Sequence, residues 1–182
     1  MTYKRLVDSL RQFRTWHRWI GISVALFMLI SATTGILLGW KKDVDLLQPP
    51  EHKGSKVELA DWVSVDDIVN SAIHALDSVV GEPNEVDKLD VRPSKGIVKV
   101  LFKNGYWEVQ VDGGTGKALS VMRRHSDWIE HVHDGSIIGD LFKLTYTNII
   151  GLSLFILSLS GAWLWYGPKV VKREKRKAGV NG

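Results

Sequence analysis

The chain has 182 residues, 45% of them hydrophobic, with eight tryptophans, no cysteine and a net charge of +4. That length accommodates one ordinary domain, or a small one together with membrane segments. The lack of cysteine excludes disulfides, thiolate metal sites, iron–sulfur ligation and covalent haem attachment through C-x-x-C-H.

The charge is unevenly spread. Up to residue 40 the bases are Lys4, Arg5, Arg11, Arg14 and Arg18, against one acid, Asp8. From residue 169 onward they are Lys169, Lys172, Arg173, Lys175, Arg176 and Lys177, against Glu174. Residues 41–143 hold 13 bases and 18 acids. Basic ends around an acidic centre are compatible with nucleic-acid arms. An apolar span beside each basic end favours a membrane instead. The tail KVVKREKRK is expected to meet anionic lipid headgroups, and no nucleic-acid partner is expected.

The first span, WIGISVALFMLISATTGILLGW, covers residues 19–40 without a charge. A hydrocarbon core of roughly 30 Å needs about 20 helical residues. Trp16, Trp19 and Trp40 bracket it as an interfacial belt. A cleaved signal peptide is the competing reading, with SAT as the cleavage site. The apolar run is long for such a segment and continues as TGILLGW, which favours an uncleaved anchor. Ser31, Gly35 and Gly39 recur four apart, the spacing of a close helix contact in lipid. That contact is with the chain's own second span, with a second copy, or with both.

Residues 41–62 read as a linker, with room for a short strand. A small domain is expected over 63–123. Ser64 can cap a helix, with Asp67 at the capping-box position. Val65, Ile68, Val69, Ala72, Leu76, Val79 and Val80 follow helical spacing, and Gly81 and Pro83 end it. His74 lies beside this stripe and reads as a surface residue. EVDKLDVR, GIVKVLFK and YWEVQVD read as strands, and Asn104-Gly105 as the hairpin turn between the last two. GGTGKALSV turns the chain into a short fourth strand. One helix on an antiparallel sheet makes a small α+β domain.

Residues 124–143 form a histidine-containing elbow, and 144–166 (LTYTNIIGLSLFILSLSGAWLWY) the second uncharged span, closed by Trp163, Trp165 and Tyr166. Thr147, Gly151, Ser158 and Ala162 form its small-residue stripe. By the positive-inside rule, residues 1–18 and 167–182 are cytoplasmic and the central domain lies outside, in the periplasm of a diderm bacterium. The expected fold is thus an inner-membrane protein with two transmembrane helices flanking a small periplasmic α+β domain.

The order helix, strand, hairpin, VDGGTGKAL resembles a PepSY domain. Asp112, Thr115, Gly116 and Lys117 match that family's last hairpin, while Gly113-Gly114 stand where a proline-containing turn is usual. WHRWIGI resembles the opening of PepSY-associated transmembrane helices. HDGSIIGD and GAWLW resemble the final helix of the same family. The resemblance runs from about residue 14 to residue 169.

No HExxH, GxSxG, phosphate loop or dinucleotide fingerprint is present, so no catalytic residue and no metal ligand set is assigned. DGGTG follows a strand and precedes no helix, which argues against a phosphate cradle. The remaining chemistry lies in the histidines. His17 sits at the mouth of the first span; His131 and His133 sit at the approach to the second, with His125 six residues before His131. The resemblance implies a b-type haem, since related proteins include haem-containing reductases acting on ferric siderophores; imidazole is the usual axial ligand and needs no cysteine. His17, His131 and His133 are then the candidate ligands. His17 and the His131/His133 pair lie at opposite faces of the bilayer core and cannot share one iron. Two histidine ligands per haem would require a parallel homodimer, since the reductase-type relatives have more membrane helices.

On a helix, His131 and His133 point about 200° apart. On a strand they share a face and allow a joint metal site with Glu130 or Asp134. The simpler roles remain open: an interfacial anchor for Trp16, His17 and Trp19, and a polar elbow or pH-sensing element for EHVHDG. Two functions follow. One is a haem-binding electron-transfer component linked to ferric-siderophore reduction. The other is a membrane-anchored module holding a periplasmic protein, since PepSY domains also occur in protease propeptides. Exposed hydrophobic side chains on the free sheet face would favour the second.

Overall fold

The computed structural model describes residues 3–177 and 179. In chain order the elements are α1 (Tyr3–Gly39), α2 (Val65–Val80), β1 (Val86–Arg92), β2 (Ile97–Phe102), β3 (Trp107–Asp112), β4 (Ala118–Arg123), α3 (His125–Asp134) and α4 (Asp140–Lys177). The chain divides into two compact units. One comprises residues up to Thr34 together with those from Val132 onward; the other is Gly35–His131.

The first unit is built on α1 and α4, 37 and 38 residues long, each with a window apolar enough to cross a membrane. At 1.5 Å per residue they run to about 55 Å, well beyond the two apolar spans. The basic ends, expected as tails on the spans, are therefore helical as well. Leu6 and Leu10 explain this at the N-terminal end: both are buried, so the packed seam continues past the last apolar residue of the span. Opposite them, a β-carbon on Gly167 would overlap the side chain of Leu10, which would have to shift to admit it. Pro168 follows within α4 without ending it.

The seam differs from the predicted one. On α4 it uses Leu157, Ser160, Gly161 and Gly167, which meet Gly21, His17 and Leu10 of α1. Thr147, Gly151, Ser158 and Ala162 are all exposed. At 100° per residue this small-residue stripe lies far round the helix from the seam. The two helices of one chain therefore leave it uncovered.

The second unit is the α+β domain, and most of its local features match the sequence pattern. The Ser64 hydroxyl accepts the Asp67 backbone N–H at 3.1 Å and donates to the Asp67 carboxylate at 2.7 Å. Gly81, in the left-handed region, closes α2. The sheet is an antiparallel meander in the order β1-β2-β3-β4. Ile68, Ala72 and Leu76 of α2 pack on Val98, Val100, Phe102, Val109 and Val111. His74 is exposed, as expected. The hairpin turn is shifted by one: the positive φ angles fall at Gly105 and Tyr106 rather than at Asn104 and Gly105.

The second face of the sheet is not free. Lys99, Glu108 and Gln110 are fully buried on it, because residues 47–55, read as linker, lie across it. The Gln110 amide accepts the His52 N–H at 2.9 Å and donates to the Pro50 carbonyl at 3.0 Å. Ser55 donates to Asp112 through both N–H and hydroxyl, each at 3.0 Å. No strand forms in this segment; a single 3-10 turn, Leu59–Asp61, precedes α2. Trp62 then packs so close to Gly113 that a β-carbon there would meet its ring, which accounts for a glycine in that turn.

Candidate functional site

The three candidate histidines separate between the two units. α3 is helical through His131 and His133, so their side chains diverge and the joint metal site that needs an extended segment is excluded. Among the described residues no group of three His, Asp or Glu side chains gathers as a metal site.

His17 lies on α1 in the first unit. Its Nδ1 is 2.8 Å from the Ser160 hydroxyl of α4. That hydroxyl donates its single proton to the Leu157 carbonyl at 3.2 Å. With its proton on that carbonyl, the hydroxyl accepts from the imidazole; this arrangement puts the ring proton on Nδ1 and leaves the Nε2 lone pair uncommitted.

His133 repeats this arrangement in the same unit. Its Nδ1 is 2.9 Å from the Thr34 hydroxyl, which donates to the Ile30 carbonyl at 2.7 Å. The same arrangement has Nδ1–H donating and leaves Nε2 with its lone pair. Thr34 lies 17 residues beyond His17 on α1, about 25 Å along the axis. The two rings thus cannot reach a single iron.

His131 belongs to the second unit. Its Nδ1 is 3.1 Å from the Tyr106 phenol, and the two rings lie 5.4 Å apart. Tyr106 has φ 57°, a left-handed conformation that costs an ordinary residue roughly 1–2 kcal/mol. The pair lines a polar cavity of about 270 Å³ with Lys88, Trp107 and Asp127. His125 is exposed at the start of α3. The sequence could not distinguish His131 from His133; the helix does so by turning one toward Thr34 and the other toward Tyr106.

Histidine–metal sites commonly fix the non-ligating nitrogen by a hydrogen bond, setting both tautomer and ring orientation. His17 and His133 both satisfy that requirement. A further feature escaped the sequence reading: Trp163 Nε1 is buried without a hydrogen-bond partner among the described residues. It lies one turn beyond Ser160 on the same helix face. A buried unpaired donor of this kind requires a partner beyond the described side chains. His17 and His133 are the side chains of this unit whose chemistry matches an imidazole ligand. Among groups outside the apolar spans, burial pushes the Asp134 carboxyl up, but bonds from Lys143 (2.7 Å) and Ser136 outweigh it and hold the pKa down to about 2.

No curated protein matches the chain. The family model described as the PepSY-associated TM region matches residues 14–179, nearly the whole chain. The chain is a membrane protein and belongs to the PepSY-associated TM region family.

Proposed function

We propose that this protein is a haem-binding electron-transfer component of the bacterial inner membrane, with both basic ends cytoplasmic and the PepSY-like domain periplasmic. The observation that carries the reading is the matched pair of hydroxyl-fixed imidazoles, His17 with Ser160 and His133 with Thr34, each leaving Nε2 as a free electron-pair donor. Haem bound there supplies one-electron transfer between ferric and ferrous states. The chain's residues hold the rings, set their tautomers and keep the surroundings apolar. Trp163 would have its buried indole N–H free for an acceptor on such a group.

Each level of the bundle offers one imidazole per chain, so a parallel two-fold dimer supplies the second. The uncovered stripe of Thr147, Gly151, Ser158 and Ala162 gives such a dimer a close-packing face. Two levels about 25 Å apart then link the two sides of the membrane. The acceptor class implied by the family resemblance is a ferric chelate. His131, paired with Tyr106, is not a ligand in this reading.

A second reading rests on the edge strand β1. Leu59, Val65 and Val91 are exposed beside it, and with Trp62, Val63 and Leu89 they line an apolar groove of about 180 Å³. Such an edge can add an extended peptide as a further strand, which suits a module that holds a periplasmic protein.

An absorption spectrum of the protein purified from haem-replete cells separates the two. Sharp bands after dithionite reduction are expected, with His17→Ala and His133→Ala each removing one of the haems and His131→Ala removing none. Absence of haem bands, even after haem is added back, would overturn the first reading and leave the second.

A further inference from the structure

A groove in the membrane unit lies beyond the apolar spans, where α1 and α4 run on together. Its volume is about 440 Å³. Val7, Leu10, Pro168 and Val171 form an apolar floor; Arg11 and Arg14 stand on one side and Lys172 and Lys175 on the other. On each helix these residues follow i, i+3, i+4, i+7 spacing, so each presents one continuous stripe to the groove.

None of the four cations has an acid within ion-pair distance among the described residues. Glu174, the acid at that end of α4, is taken by Lys177 at 3.0 Å, and Asp8 does not line the groove. A second copy of the chain is a poor occupant, since its corresponding end is equally basic. What fits is an anion with an apolar body. Depth decides its source. Arg14 is five residues outside the first span, and Pro168 and Val171 are two and five outside the second. They lie within about 8 Å of the core boundary, in the headgroup layer. Anionic phospholipid is concentrated there.

We infer that this groove is a binding site for an anionic phospholipid with two phosphodiester groups. The phosphates lie between the arginines of α1 and the lysines of α4, and the glycerol and first methylenes lie on the apolar floor. The inference does not depend on haem.

Lipid retention by the full-length protein in mild detergent, read by native mass spectrometry, tests it. Diphosphatidylglycerol is expected to be retained on the order of tenfold more than phosphatidylcholine. R11Q/R14Q and K172Q/K175Q should each remove most of that preference, with helicity by circular dichroism unchanged. K4Q/R173Q, outside the groove, should not. Three outcomes would overturn the site: equal retention of the two lipids, equal loss from K4Q/R173Q, or full displacement by inorganic phosphate at matched charge. Displacement by an acidic amphipathic peptide at stoichiometric amounts would assign the groove to a protein partner instead.

Discussion

Replacing Ser160 with alanine tests the tautomer argument at its most exposed point. Ser160 is 2% exposed, and its hydroxyl is the partner of His17 Nδ1 at 2.8 Å. Without it the Nδ1 proton loses its acceptor, and nothing prefers the tautomer that leaves Nε2 free. Loss of such an outer-shell partner typically lowers metal affinity by about 10–100-fold, or roughly 1.4–2.7 kcal/mol. The measurement is a haem titration followed by Soret absorbance. It is made on a His133→Ala background, so that only the His17 site is read. Ser160→Ala should weaken binding within that range, and Ser160→Thr, which keeps the hydroxyl, should restore most of it. The reasoning fails if Ser160→Ala leaves the affinity unchanged while His17→Ala abolishes it, because the hydroxyl would then not set the ring's donor.

Thr34→Val should weaken the His133 site by a similar factor on a His17→Ala background, with the His17 site untouched in the otherwise native chain. Leu76→Ala removes a fully buried side chain from the domain core and should cost about 2–5 kcal/mol, visible as faster hydrogen exchange in β2 and β3. Lys99→Met should destabilise the domain by the same readout, by less than the roughly 3–5 kcal/mol of a fully stranded buried pair. Lys99 lies 3.0 Å from Glu51 and 3.8 Å from Glu108, but Arg124 at 3.3 Å still faces Glu108 and Glu51 reaches water. Asp134 has a folded pKa depressed from 3.8 to about 2. Its contribution is fully present above about pH 4 and is lost as pH falls through 2. Thermal unfolding between pH 5 and 2 should therefore fall more steeply in the native chain than in Asp134→Asn, and parallel curves would contradict the assignment.

Local patterning made much of this architecture legible. Two uncharged spans with aromatic ends marked the membrane helices, because a bilayer imposes a length and a polarity that composition must meet. Ser64, the apolar period after it and Gly81 delimited α2, because caps and periodicity act within a few residues. Alternation identified β1 and β3, a nearly continuous apolar run identified β2, and the run after the Thr-Gly-Lys turn pointed to β4. The misread turn at Asn104-Gly105 shows the limit even here. Which residues take positive φ depends on strand register, and that is set by the pairing of Leu101 with Glu108 and by the core beneath it.

The histidines mark the other boundary. The sequence by itself determined that His17 and the elbow histidines stand at opposite ends of a membrane-length helix and cannot meet on one iron. It could not determine what holds them, because Ser160 lies 143 residues from His17, and Thr34 lies 99 from His133. Nor could it choose between His131 and His133, which depended on whether the elbow was helical. Residues 47–55 carry no periodicity of their own, and their place over the sheet follows from buried polar groups on β2 and β3 that require partners. Contacts between distant segments, and the proton positions they impose, arise only when the chain packs, because each depends on the orientation of two surfaces that the local sequence of neither specifies.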